Sequence, residues 1–591
     1  MDKIKRFLPF LEWQLTGVNL RADLIAGITV ALVLIPQSMA YAQLAGLPPY
    51  YGLYIAFMPV IIAALFGSSK QLATGPVAVV SLLTASAIIP LVGDPSGMTQ
   101  EQVIAVYAPL AILLAFLVGV FQLFLGVFKL GVIVNFLSHP VIVGFTNAAA
   151  MIIGLSQLNK IFGVSMERSE SFVNDIWGVI LQVGDSHIPT LIFGVVAIAI
   201  LWGFKKYYPK VPGVLVAVVG TTVVSAIIGY KDNMSGAVVG KIPEGLPSMQ
   251  VPAFSWDMMA TLISSAIVIS LVGFMEAISI AKAMAAKTKD RIDPNQELIG
   301  QGLGNIAGSF FQSYPASGSF SRSAVNLGAG AKTGMSSVFT GAVVVITLLF
   351  LTPLLYHLPK AVLAAVIIMA VIGLINFKAV KHAWRASKHD GVASIVTFIA
   401  TLGFAPHLDQ GIMVGAGLAI LLYLYRTMSP RVAHLGRYED GTLRDLAVHP
   451  DLPTDEHIIV VRFDGSLYFA NVSFFEDTIL AAVADKPDAK YILVVGDGIN
   501  QLDASGEEVL HHLNQRLKDH DITLVLSGLK RQVIQVMRQT LLFDHIGQKN
   551  IFATENMALA DIYKRMGGEG EFCPLSPNIA VENNEEAEAR A

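Results

Sequence analysis

Apolar residues run almost unbroken from Leu24 to Tyr425. Leu24–Ser69, Gln71–Gly93, Gln102–Phe128, Leu130–Asn159 and Thr333–Pro359 contain no Asp, Glu, Lys or Arg. Each block holds a stretch of the ~20 apolar residues that cross a bilayer core. The pattern predicts membrane helices at 23–43, 50–67, 76–92, 105–127, 131–156, 187–204 and 211–229. It predicts a second set at 259–281, 296–311, 320–333, 336–356, 361–377, 391–406 and 409–426. Two of these, 76–92 and 320–333, are short and follow Gly/Ser/Pro-rich runs.

Near Arg426 the pattern changes. Strands are expected at His457–Phe463, Ser466–Ala470, Tyr491–Val495, Ile522–Ser527 and Ile551–Ala553. Helices are expected at Val472–Ala484, Ser505–Leu517, Arg531–Leu542 and Asn556–Arg565. That alternation implies a small α/β domain with a helix-covered sheet. The chain therefore divides into an N-terminal segment (1–22), a transmembrane domain (23–428), a soluble domain (440–566) and an acidic tail (567–591) expected to be disordered.

Composition agrees with this division. Only 14% of residues are charged, against about 25% in soluble domains. A soluble enzyme, a disordered scaffold and a nucleic-acid binder are excluded as readings of the whole chain. The net charge of −4 indicates no anionic macromolecular partner. One cysteine, Cys573, permits neither a disulfide framework nor a cysteine metal site. The N-terminus (Lys3, Lys5, Arg6, Arg21) has no cleavable-signal pattern. With that end inside, cytoplasmic connections carry Lys70, Lys129, Lys205/Lys206/Lys210, Lys282/Lys287/Lys289/Arg291, Lys332, Lys378/Lys381/Arg385/Lys388 and Arg426/Arg431. The opposite loops carry Lys160, Arg168, Lys231, Lys241 and Lys360. The bias puts both termini in the cytoplasm of a multi-pass inner (plasma) membrane protein.

The short segments follow related strings, Ala73-Thr74-Gly75-Pro76-Val77 and Ala316-Ser317-Gly318-Ser319-Phe320, each leading into the third span of a seven-span half. Interrupted helices at matching positions in two halves point to a transporter's binding site. Their N-termini would offer free N–H groups and positive dipole ends to an anion. Kinks that merely shape helix packing are the alternative. Two charges at bilayer depth, each costing about 2.5–3.5 kcal/mol, add to the case. Arg322 begins the second short helix. Glu276 follows 18 uncharged residues and is six positions from Lys282, on a different face. Gln37 and Tyr41, four apart in the first span, share one face beside Pro36. Asp503 and Ser505 stand where a helix cap belongs. No GxxxxGK[ST] string supports ATP-driven transport.

The string from Asp23-Leu24-Ile25-Ala26-Gly27 through Ile35-Pro36-Gln37-Ser38-Met39-Ala40-Tyr41-Ala42 to Leu44-Ala45-Gly46-Leu47-Pro48-Pro49-Tyr50-Tyr51-Gly52-Leu53-Tyr54 resembles the sulfate permease (SulP) family of anion transporters. Ala73-Thr74-Gly75-Pro76 and Gly318–Asn326 resemble its half-helix signatures, and the soluble domain is similar to its STAS domain. The resemblance implies a 7+7 inverted repeat of core and gate domains and a homodimer. It implies a small anion held by Gln37, Tyr41, Thr74, Gly75, Ser319, Phe320, Ser321 and Arg322. A carboxylate at the position of Glu276 implies coupling to H⁺, with Na⁺ bound there as the alternative; no other cofactor or metal is implied. Sulfate leads as substrate, with bicarbonate, dicarboxylates (succinate, fumarate) and uncoupled exchange or channel activity as alternatives. STAS relatives that antagonise anti-sigma factors carry a phosphoserine at the position of Ser505, which allows a regulatory site and a cytoplasmic regulator.

Overall fold

The computed structural model describes residues 9–13, 16–92, 98–131, 138–166, 172–208, 211–567 and 574–575. Lys3, Lys5, Arg6, Arg168, Lys210, Cys573 and most of the 567–591 tail lie outside them. The chain forms two units, Met1–Ile420 and Leu421–Ala591.

In the first unit every predicted span overlaps a helix, a pattern compatible with fourteen spans. The first half contains α1 (Gly17–Leu44), α2 (Tyr51–Ile55), α3 (Met58–Phe66), α4 (Ala78–Val92), α5 (Ala108–Val127), α6 (His139–Leu155), α7 (Ile188–Tyr207) and α8 (Gly213–Ile228). The second contains α9 (Trp256–Thr288), α10 (Pro294–Ser309), α11 (Phe320–Gly328), α12 (Met335–Ile346), α13 (Lys360–Ile372), α14 (Phe377–Ala386), α15 (Lys388–Gly403) and α16 (Leu408–Met428). Among the described residues, eight helical stretches are alone long and apolar enough to cross a bilayer. Helix α1 begins at Gly17, earlier than the predicted 23, because Thr16 Oγ1 accepts from Asn19 N–H (3.3 Å) and caps it.

Where the sequence showed only breaks, the chain builds strands. β1 (Ala73–Gly75) precedes α4, and β2 (Ser317–Ser319) runs directly into α11. They pair antiparallel in the register Ala73↔Ser319, Thr74↔Gly318, Gly75↔Ser317. Backbone N–H and C=O groups that would be orphaned in lipid thus satisfy one another. Because the strands oppose, α4 and α11 leave the crossing in opposite directions with both N-termini at it. At 15 and 9 residues they reach about 22 and 13 Å, less than the ~30 Å hydrocarbon core.

Small residues set the packing. α5 and α10 touch backbone to backbone at Gly119 and Gly302, where an added Cβ would lie 2.7 Å from Gly302 O and 2.6 Å from Leu123 N respectively.

The second unit is a six-stranded sheet ordered β4-β3-β5-β6-β7-β8. Its strands are β3 (Arg431–Arg437), β4 (Leu443–Asp445), β5 (Ile458–Asp464), β6 (Tyr491–Val495), β7 (Thr523–Ser527) and β8 (Ile551–Phe552). β5 to β8 run parallel, while β3 is antiparallel to β4 and β5. The helices are α17 (Val472–Asp485), α18 (Ala504–Lys518), α19 (Arg531–Gln539), α20 (Leu542–Ile546) and α21 (Glu555–Arg565). Apolar cores lie on both faces. Three expectations need correcting. The sheet starts at Arg431, ahead of 440, because Ala433 and Leu435 enter its core. Ser466–Ala470 makes one bridge, Leu467↔Leu502, and is otherwise a turn closed by Asn471, whose Oδ1 accepts from Tyr468 N–H (3.1 Å). The helix expected over 531–542 breaks at Leu541, whose φ is +63°. Within the tail, Leu575 is buried; its carbonyl accepts from Arg437 Nε (2.9 Å) and its N–H donates to the Tyr563 hydroxyl (3.1 Å).

Candidate functional site

A cavity of about 620 Å³ opens beside the crossing. Its inner wall combines Val77–Val79 at the start of α4, Ser319, Phe320 and Ser321 at the start of α11, Gln37 and Tyr41 on α1, and Glu276 and Ser279 on α9. Lys205 on α7 and His139 on α6 line it further out.

Each polar group is placed by its element. The four-residue spacing turns Gln37 and Tyr41 to the same side of α1, and Gln37 Oε1 is buried without a hydrogen-bond partner among the described residues. The side chain of Ser319, the cap residue of α11, accepts from no backbone N–H of the first turn and pairs instead with the Ser321 hydroxyl (3.4 Å). The N–H groups of that turn therefore stay available to a ligand. Glu276 sits one turn beyond Gly273, whose carbonyl accepts from Ser317 Oγ (2.7 Å) and pins α9 to β2. The Glu276 carboxylate makes no hydrogen bond or ion pair among the described residues.

Arg322 stands behind the wall, fully buried. Its Nη2 donates to Pro76 O (2.8 Å), while Nε and Nη1 find no acceptor among the described residues. A cation with two unspent donors thus makes the crossing electropositive from within. Gly75 has φ +143°, and a Cβ there would meet Arg322 Nη2 at 3.3 Å. Thr74 is turned the other way, and its Oγ1 accepts from Gln301 Nε2 (2.8 Å). Of the predicted site residues, Gln37, Tyr41, Ser319, Phe320, Ser321 and Glu276 line the cavity, whereas Thr74, Gly75 and Arg322 form its backing. In the other unit Asp503 caps α18, its Oδ1 accepting from Gly506 N–H (2.8 Å); Ser505 lies half-buried in that first turn.

Sequence reasoning missed the rail that holds the crossing. Glu297, Gln301 and Asn305 recur every four residues on α10. Glu297 Oε2 accepts from the N–H groups of Ser68 (2.9 Å) and Ser69 (3.0 Å). Gln301 holds Thr74. Asn305 Oδ1 accepts from Ala316 N–H (2.7 Å), and its Nδ2 donates to Ala316 O (3.1 Å) and Gln122 Oε1 (3.0 Å). The available signal was that polar i, i+4, i+8 spacing inside an apolar span. Two further bonds join the halves: Ala73 N–H to Ser323 Oγ (2.9 Å) and Asn326 Nδ2 to Gln71 O (3.2 Å).

Residues 20–397 match the model of the Sulfate permease family, and 449–558 that of the STAS domain. The chloroplastic sulfate transporter 4.1 of Arabidopsis thaliana is 36% identical over 575 residues, which cover 93% of this chain and 82% of that protein. The sodium-independent sulfate anion transporter of Bos taurus is 32% identical over 571 residues, covering 91% and 88%. The solved structure of the murine Slc26a9 anion transporter in the inward-facing state superposes with a TM-score of 0.88 at 25% identity, covering 95% of this chain and 94% of that one.

Proposed function

Because the chain belongs to the sulfate permease family and ends in a STAS domain, we propose that it takes up a small oxyanion, sulfate first, by H⁺-coupled symport. Anion transport across a membrane is the family's activity, and the chain is a transporter rather than an enzyme. The observation that carries the finer reading is the Glu276 carboxylate, unpaired among the described residues and facing the same cavity as two helix N-termini. An anion at those N-termini is held by backbone N–H groups and the buried charge of Arg322. Glu276 repels it when ionised and not when protonated, so proton and anion enter together. The bovine relative's name, sodium-independent, speaks against Na⁺ as the coupled ion.

Alternating access is supported at both ends of the unit. His139, Lys205, Val211, Gly373 and Leu374, which line the cavity, adjoin connections assigned to the cytoplasm by their basic residues. At the other end of α4, Ser86 Oγ donates to Pro406 O and accepts from Leu408 N–H (3.0 Å), tying that helix to the α15–α16 connection. The reading is of an inward-open state, with the crossing carried as one body against α6, α7, α8 and α13.

Uptake of labelled sulfate into proteoliposomes, with pH and Na⁺ gradients imposed separately, tests this. A pH gradient should drive accumulation and Glu276→Gln should abolish it while sulfate binding persists. Accumulation driven by Na⁺ alone, or unchanged in the variant, rejects H⁺ coupling through Glu276. Competition by bicarbonate or succinate but not by sulfate reassigns the substrate.

A further inference from the structure

Between α13 and α15 the sequence pattern gave no separate element, yet α14 is a ten-residue helix with no buried residue. Asn376 caps it, Oδ1 accepting from Ala379 N–H (3.0 Å), while its own N–H donates to Asn147 Oδ1 on α6 (2.6 Å). Phe377 meets Phe398 edge-on with ring centroids 6.1 Å apart, and a Cβ on Gly391 would lie 2.5 Å from the Trp384 ring. These contacts lay α14 antiparallel along the first half of α15. Both aromatic rings nevertheless stay about half exposed, at 55% and 45%.

The polar side of α14 is ordered too. Lys378, Lys381 and Arg385 recur at intervals of three and four, forming one stripe about 100° around the helix from Phe377, Val380 and Trp384. Lys388 extends the stripe into α15, and Asp390 is the sole carboxylate over 377–390. All four cations are exposed and none forms an ion pair among the described residues. Half-exposed aromatics beside a basic stripe, on a short helix flanked by membrane helices, suit the boundary between acyl chains and headgroups.

We propose that this stripe is a docking surface for anionic phospholipid headgroups. The aromatic side enters the acyl region while the three cations and Lys388 reach the phosphates, within the short range over which surface charge acts. The proposal requires only that the chain spans a membrane, and stands whatever anion is transported and however it is coupled. α14 continues from α13, whose Val366, Met369 and Ala370 line the cavity, so headgroup binding bears on a wall of the transport site.

The test uses the full chain with Trp384 as its sole tryptophan (Trp13, Trp177, Trp202 and Trp256 replaced by Phe), in phosphatidylcholine vesicles. About 30 mol% brominated phosphatidylglycerol, or the same fraction of brominated phosphatidylcholine, is added as quencher. At low salt the anionic lipid should quench Trp384 roughly fivefold more effectively. The preference should vanish in K378Q/K381Q/R385Q and in 0.5 M salt, where the screening length falls to about 4 Å. Equal quenching by the two lipids at low salt overturns the proposal, as does a preference unaltered in the triple variant. Should the single-tryptophan chain fail to fold, the natural chain and K378Q/K381Q/R385Q are compared for phosphatidylglycerol retained on purification; equal retention again overturns it.

Discussion

Gly52 lies so close to α1 that an added Cβ would fall 2.0 Å from the Ser38 carbonyl oxygen. Gly52→Ala must therefore push α2 off the segment that presents Gln37 and Tyr41, at an overpacking cost of about 1–3 kcal/mol. We expect a lower melting temperature in detergent together with weakened sulfate binding; an unchanged melting curve would count against the contact. A different residue governs pH response in the soluble unit. The His545 ring stacks on His511 with centroids 3.8 Å apart, and its Nε2 is buried without a partner among the described residues. Burial, helped by the charges of His511 and Lys518, holds its pKa below the ordinary histidine value. The unfolded chain then binds more protons, so stability is full above about pH 6.5 and is lost as pH falls through and below it. Amide exchange across Leu542–Ile546 in the full chain should show protection decreasing from pH 7.5 to 6.0, with His545→Asn removing most of the change. Residues of this kind differ in legibility. Glu276 and Arg322 announce themselves because charge at bilayer depth is rare, whereas Gly52 and His545 matter through neighbours distant in sequence.

Among the elements, α10 does more than its composition suggests. Asn305→Leu strips hydrogen bonds from the Ala316 N–H and C=O and from Gln122, at about 1–3 kcal/mol for each buried group left unpaired. Gln301→Leu removes one side-chain donor, shared by the Thr74 hydroxyl (2.8 Å) and, at the longer distance of 3.4 Å, Glu297 Oε1, and leaves no backbone group unpaired. Thermal melts and sulfate titrations should therefore rank Asn305→Leu well below Gln301→Leu, and the reverse order would deny the clamp at Ala316 its importance. Apolar periodicity located the helices well, because each must cover its length in lipid. It could not show β1 and β2: strings such as Ala-Thr-Gly and Ser-Gly-Ser have neither alternation nor length, and their pairing exists only once the halves meet. The π-helical turn at Thr347–Leu351, inside the span predicted as 336–356, left no trace for the same reason, since its residues read as continuous helix.

For the whole molecule, the limits of the soluble unit decide how it can be cut. β3 supplies Ala433 and Leu435 to the core and pairs with both β4 and β5. A chain ending at Pro430 should stay monodisperse in detergent, whereas one ending at Glu439 retains β3 as an unpaired apolar edge and should aggregate. Size-exclusion profiles of the two distinguish the cases, and identical behaviour would show that the edge is harmless. The transition from membrane to soluble sequence was plain from composition, but its exact place was not, because β3 follows the last apolar helix after two residues. The crossing has a bearing on ancestry and on engineering. Arg322 reaches back to Pro76, Ser323 accepts from Ala73, Asn326 donates to Gln71, and Gln301 and Asn305 brace Thr74 in β1 and Ala316 just before β2. A hybrid joining residues 1–250 of this chain to the latter part of a distant relative would mismatch these reciprocal donors and acceptors, so the duplicated halves are bound to diversify in concert, each substitution vetted by its counterpart across the seam.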